Sequence, residues 1–282
     1  MKITHILLTA TIVCQSAFGA DLHTPTAQAV TIAPTATQPV CISLEGMPAE
    51  PNPVGADGII REFKGPVLLL MHTEAAKPKG TVLILPSGGY QVLSVISDGV
   101  KKAEFWNSLG YDVAILEYTI TGEMTRDNAL KDVQAAIQLI RGRAKEFGLH
   151  NGKFIMMGSS AGGHLAARTV AAMAEKNRPD ALVLFYPAYL EEIPAGAKDP
   201  GLPVPCGKLP SLFAAIATND NAKWIAGARA YADTWEKAGG QAQFKLFDDG
   251  GHGFSSGSNA DKEWPVLLKT FEETKVSGQI PP

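Results

Sequence analysis

The sequence predicts an α/β fold, with one domain whose mostly parallel sheet of about eight strands carries helices on both faces. Three observations carry this. Short apolar runs alternate with helical patterns along most of the chain. The runs are apolar at successive positions, as in Thr81–Leu85 (TVLIL) and Ala181–Phe185 (ALVLF), so both sides of each strand are covered. The chain has 282 residues, 45% of them hydrophobic, and neither a linker nor a repeat interrupts residues 41–282.

The elements follow in order. Pro66–Met71 (PVLLLM) and Thr81–Leu85 read as strands, the second running into Pro86-Ser87-Gly88-Gly89. Ser97–Leu109 has apolar residues near helical spacing and stops at Gly110. Tyr111–Leu116 is the next strand. Thr125–Phe147 is a long helix, with Ala129, Val133, Ala136, Ile137, Ile140 and Ala144 on one side and Gly148 at its end. Lys153–Met157 is a strand, Gly158–Gly162 a sharp turn, and Gly163–Ala174 an Ala-rich helix. Strands follow at Ala181–Phe185, Ser211–Ala217 and Gln241–Phe247, with helices at Trp224–Ala238 and about Asp261–Thr274. Between Pro187 and Pro210 the prolines at 194, 200, 203, 205 and 210 preclude a helical cap and predict an open cleft.

The N-terminus reads as a targeting segment. Lys2, the apolar stretch Ile3–Val13 and the small residues Ala17 and Gly19 have the order of a secretory signal peptide over residues 1–19. Residues 20–40, rich in Thr, Ala, Gln and Pro, read as a tether. The predicted location is therefore secreted or periplasmic. In an exported protein the two remaining cysteines, Cys41 and Cys206, are candidates for one disulfide. A net charge of −3 and a pI near 6.1 argue against nucleic acid as a partner. No apolar run past the N-terminus is long enough to span a bilayer.

The chemistry centres on Gly158-Ser159-Ser160-Ala161-Gly162, a G-x-S-x-G pattern between a strand and a helix. That context is what a nucleophile elbow needs: a strained turn lifts the serine off the sheet end, and flanking glycines make room for it. The amide of Ala161 and the dipole of the following helix then face any oxyanion formed at Ser160. A serine hydroxyl needs a base. Of the six histidines, His5 and His23 lie in the targeting segment and tether, while His72 and His150 sit in polar turns and read as solvated. His164 lies one turn past Ser160 on the same helix and reads as structural. His252, in Asp249-Gly250-Gly251-His252-Gly253-Phe254 after the last strand, is the candidate base.

Asp220, after the strand Ser211–Ala217, is the candidate acid. It completes the chain order Ser, Asp, His. Asp248 and Asp249 are competitors lying close to His252 in sequence, and a helix N-cap is the alternative role for Asp220. Gly88 and Gly89, after the second strand, are candidates for further oxyanion amides. The chain has no H-E-x-x-H, no P-loop and no zinc-spaced Cys/His cluster, so neither a metal nor a cofactor is expected.

Taken in order, these residues resemble a family. The stretches Leu85–Tyr90, Phe105–Tyr111, Gly158–Ala166, Arg178-Pro179-Asp180 with Tyr186-Pro187, and Gly250–Phe254 are similar to the α/β-hydrolase esterases grouped with bacterial acetylxylan and feruloyl esterases, which overlap the hormone-sensitive-lipase-like enzymes. The likeness runs from about Ile60 to Phe271. It implies an α/β-hydrolase domain, Ser160 as nucleophile, Asp220 as acid, His252 as base, and oxyanion amides at Gly88, Gly89 and Ala161. It also implies an ester or acylated carbohydrate substrate, such as acetylated or feruloylated xylan. Three positions depart from the family pattern: Ser87 stands in place of a third glycine, Asp98-Gly99 in place of Glu-Gly, and Asn221-Ala222-Lys223-Trp224 in place of a Val-Pro segment after the acid. The alternatives are a general short-chain carboxylesterase, or a carbohydrate-binding protein with a relic triad.

Overall fold

A computed structural model describes residues 12–13, 29–30, 39–191 and 202–278. The expected signal peptide and tether lie almost wholly outside the described residues, as does the middle of the proline-rich segment. A two-residue antiparallel pairing joins Ile12–Val13 to Ala29–Val30.

Eight strands form the main sheet. They are β1 (Val40–Ser43), β2 (Val67–Met71), β3 (Gly80–Leu85), β4 (Tyr111–Glu117), β5 (Lys153–Ser159), β6 (Ala181–Phe185), β7 (Ser211–Ala217) and β8 (Ala242–Phe247). Across the sheet they run β8-β7-β6-β5-β3-β4-β2-β1. Only β2 runs against its neighbours β1 and β4; the other five pairings are parallel. β1 was not among the strands located from sequence. At four residues on the sheet edge, with one residue fully buried, it has too little apolar pattern to stand out from the preceding tether.

The helices are α1 (Lys101–Ser108), α2 (Thr125–Arg143), α3 (Ala161–Ala172), α4 (Ala222–Lys237) and α5 (Asn259–Phe271). Every residue of β3, β4 and β6 is buried. This is why their sequences are mostly apolar without alternation: helices cover both faces, and the polar exceptions, Thr81, Asp112 and Glu117, sit near strand ends and are hydrogen-bonded.

The order of β3, β4 and β5 sets the site. From β3 the chain moves to β4 on one side, then crosses to β5 on the other. The loops after β3 and β5 therefore leave the same sheet end side by side, at the switch point where ligands of open α/β sheets bind.

The sheet order also separates the two cysteines. Cys41 lies on the edge strand β1, and Cys206 precedes β7 in a loop whose carbonyl at Cys206 is held by Arg178, just before β6. The five strand spacings from β1 to β6, each about 4.8 Å, far exceed what a disulfide can bridge. Both thiols are free, contrary to the pairing expected from the even cysteine count. Burial pushes the Cys41 thiol up to about 12, with the nearby Glu117 carboxylate adding to the shift.

Candidate active site

Ser160 occupies the turn between β5 and α3 with φ 52° and ψ −118°, a strained backbone for a residue with a side chain. Its amide donates to the carbonyl of Phe185 at 2.9 Å, and its carbonyl accepts from the amides of His164 and Ala188 at 3.1 and 3.2 Å. The flanking glycines are required by space. A Cβ on Gly158 would lie 2.2 Å from the carbonyl oxygen of Gly162, and one on Gly162 would lie 2.1 Å from that of Leu85. The second contact also shows how tightly the loop leaving β3 presses on the elbow.

The Ser160 hydroxyl donates to Nε2 of His252 at 2.7 Å. Nδ1–H of His252 donates to the Asp220 carboxylate, at 2.9 Å to Oδ2 and 3.1 Å to Oδ1. The carboxylate is fully shielded from solvent, whereas about a third of the His252 side chain is exposed. Asn219 ties the two loops together by accepting from the amide of Gly251 at 2.8 Å. Phe254, at φ 51° and buried, anchors the histidine loop against Tyr186, with ring centroids 4.7 Å apart.

The competing carboxylate of Asp249 is engaged elsewhere. Asp249 accepts from the amide of Asn259 at the start of α5 at 2.5 Å, and the Asp248 carbonyl accepts from the Thr218 hydroxyl. The N-cap of α4 is Asn221, which accepts from the amide of Lys223, so Asp220 is not spent on that role.

The structure brings Ser160, His252 and Asp220 into one line of hydrogen bonds. Such a line can withdraw the serine proton as the hydroxyl attacks a carbonyl, and can hold the resulting imidazolium against the carboxylate. Gly88, Gly89 and Ala161 flank the same sheet end. Gly88 has φ 140°, and its carbonyl accepts from the amides of Gln91 and Val92 in a tight turn; a Cβ there would lie 1.9 Å from the Val92 carbonyl oxygen. Gly89 follows at φ 65°. Ala161 opens the twelve-residue helix α3, whose positive dipole end points toward the serine.

His164 is buried, and its Nδ1 accepts from the Tyr90 hydroxyl at 2.8 Å. Desolvation pushes its pKa down to about 3, with the positive charges of Arg126 and Arg168 adding to the shift. It joins α3 to the loop after β3 and does not approach Ser160 Oγ as a base. His150 is exposed as expected, but His72 is partly buried, with Nδ1 3.6 Å from Asp112.

Several residues around the site were given no role in it from sequence. Buried Asp98 accepts from the Ser87 hydroxyl at 2.5 Å and from the Tyr186 hydroxyl. Two of the departures from the family pattern, Ser87 and Asp98, thus satisfy each other. The ring of Tyr186 packs edge-on to one side of His252, with centroids 5.2 Å apart, and Trp224 packs against it at 4.5 Å. Tyr189 lies 5.8 Å from Trp224. The only sequence signal for Trp224 is its place in the segment that departs from the family.

The solved structures bearing likeness to this chain decide its fold class. A hydrolase from a Medee basin deep-sea metagenome library superposes with a TM-score of 0.67 at 22% identity, covering 86% of this chain and 99% of that one. The chain has the α/β-hydrolase fold. An acetyl ester-xyloside bifunctional hydrolase from Caldicellulosiruptor lactoaceticus matches this chain with a TM-score of 0.66 at 21% identity, over 88% of this chain and all of that one. A thermophilic esterase of Thermogutta terrifontis with propionate bound matches with a TM-score of 0.62 at 22% identity, over 77% and 92%.

Residues 70–187, which hold the elbow and the loop after β3, match the BD-FAE family model. Over 111 residues the chain is 29% identical to an acetylxylan esterase of Xylanibacter ruminicola, covering 39% of this chain and 23% of the relative. Over 131 residues it is 26% identical to endo-1,4-beta-xylanase B of Butyrivibrio fibrisolvens, covering 42% and 20%. The chain thus spans about a fifth to a quarter of the length of these two relatives. Among the described residues, no helix is long and apolar enough to cross a membrane, and no three His, Cys, Asp or Glu side chains gather as a metal site.

Proposed function

We propose that this α/β-hydrolase is a serine esterase that removes short acyl groups, acetyl above all, from a plant-type glycan such as xylan. The 2.7 Å hydrogen bond from Ser160 to His252, continued to a shielded Asp220, is the observation that carries the reading. Ser160 Oγ bonds to the ester carbonyl carbon while His252 Nε2 takes the hydroxyl proton. The oxyanion is held by amides of Gly88, Gly89 and Ala161. As the carbon–oxygen bond to the alcohol breaks, the imidazolium returns its proton to the leaving alkoxide. Water, deprotonated by His252, then cleaves the acyl-enzyme and regenerates Ser160. The relatedness to an acetylxylan esterase favours acetyl and xylan as the substrate class, and export through residues 1–19 would bring the enzyme to a polymer outside the cell.

The test is hydrolysis of ethyl acetate and of acetylated xylan by the full chain and by its Ser160→Ala variant. Release of acetate by the wild type, with a loss of about 10⁴-fold or more in the variant, is the expected result. Equal inactivity of both proteins toward every ester, with xylan binding intact, would replace the esterase with a carbohydrate-binding protein. A strong preference for long acyl chains would overturn the assignment of acetyl.

A further inference from the structure

We propose that Trp224 and Tyr189 form an aromatic wall that binds the alcohol half of the ester as a sugar ring, so that selectivity resides on the leaving-group side of the triad. The inference rests on the serine esterase reading and adds to it the residues that recognise the substrate.

The direction of proton return decides which half of the ester meets this wall. His252 Nε2 must reach the oxygen of the departing alcohol, so the alcohol leaves Ser160 over the imidazole, while the carbonyl oxygen turns to the amides. One side of that imidazole is closed by buried Tyr186. Trp224 also packs on the imidazole, only partly buried, its ring centroid 4.5 Å from that of His252 and tilted by 48°. An alcohol larger than a few atoms meets the indole first.

Tyr189 extends the wall. Its ring is 5.8 Å from that of Trp224 and 6.4 Å from that of Tyr90 on the loop after β3. The Arg126 guanidinium lies over its ring at 4.7 Å. The Tyr189 hydroxyl is 3.9 Å from where a Cβ on Gly89 would stand, so the wall passes beside the proposed oxyanion loop. Its backbone sits at φ 61°, a conformation that bulky residues rarely adopt.

A pyranose suits such a surface. One face is a flat array of C–H groups that leaves water on contact with an aromatic ring, while its hydroxyls point outward from the ring edge. Trp224 stands four residues past Asp220, so the loop that carries the acid also carries the wall.

The experiment compares Trp224→Ala and Trp224→Phe with the wild type on two acetates of different alcohols: acetylated xylobiose and ethyl acetate. Aryl acetates are avoided because their leaving group would itself stack on the wall. The expected result is a KM for the xylobiose ester that rises about tenfold more than that for ethyl acetate in the alanine variant, with Phe recovering part of the loss and kcat changing less than KM. In a Ser160→Ala background, calorimetric affinity for acetylated xylobiose should fall by a similar factor when Trp224→Ala is added. Equal effects on both esters, or unchanged calorimetric affinity, would overturn the wall. Failure of the wild type to hydrolyse ethyl acetate would count against the esterase reading, while the calorimetry would still decide on the sugar site.

Discussion

Acid should unfold this protein partly through one histidine. His164 is buried, bonded as an acceptor to Tyr90, and burial together with Arg126 and Arg168 pushes its pKa from 6.5 to about 3. Below pH 6.5 the unfolded chain takes a proton on this ring that the folded chain refuses until about pH 3. Its contribution to stability is therefore complete above pH 6.5 and is lost as the pH falls toward 3. Between pH 7 and 4.5 about two pH units lie below the unfolded value, at about 1.36 kcal/mol each, or about 2.7 kcal/mol. The assay is urea unfolding at those two pH values for the wild type and for His164→Gln, whose side chain can still bond Tyr90 but does not titrate. The variant should lose about 2.7 kcal/mol less than the wild type between the two pH values, though it starts from a lower stability. Buried Glu117, whose carboxyl desolvation pushes upward, acts in the opposite sense, but it is common to both proteins and cancels in the difference. Equal losses in the two proteins would refute the reasoning, because they would mean that the folded state admits the proton.

Two further predictions test the geometry. Asp220→Asn should lower kcat by about 10⁴-fold, because the amide leaves the imidazole in the wrong tautomer, whereas Asp249→Asn should keep kcat within the same order and lose about 1 kcal/mol of stability at the start of α5; the reverse ranking in ester hydrolysis would reassign the acid. Gly162→Ala places a methyl group 2.1 Å from the Leu85 carbonyl oxygen, so the loop after β3 must move. Stability should fall by about 2 kcal/mol, and kcat should fall at least about tenfold with the far-ultraviolet spectrum retained; a variant with normal kcat would show that this close approach is not needed.

Much of the molecule was legible because it is encoded locally. Largely apolar runs identify β2 to β7, since a strand covered on both faces carries few polar positions, whereas β8 at the sheet edge has only Phe247 buried and includes Gln243 and Lys245. The G-x-S-x-G turn is legible in part for the same reason: the crowding at Gly158 comes from Gly162 and Gly163, although that at Gly162 comes from the distant Leu85 and Pro86 carbonyls. Where the helices stop was also close to legible, as with Gly110 and Gly148, which take up the left-handed backbone that ends a helix.

What sequence left open depends on contacts between distant parts of the chain. Asp220 and Asp249 are both acidic residues after a strand, and only the crossing of the loops shows which carboxylate meets Nδ1 of His252. The Cys41 and Cys206 thiols looked like partners by count, yet strand order sets them on different parts of the sheet. Asp98 reaches Tyr186 across 88 residues of chain, and Trp224 reaches His252 across 28. Hydrophobic period and turn chemistry are written into neighbouring residues. The wall beside the histidine and the carboxylate beneath the loop after β3 exist only once the strands have packed in the order β8-β7-β6-β5-β3-β4-β2-β1, because no local pattern records which distant side chains that order will bring face to face.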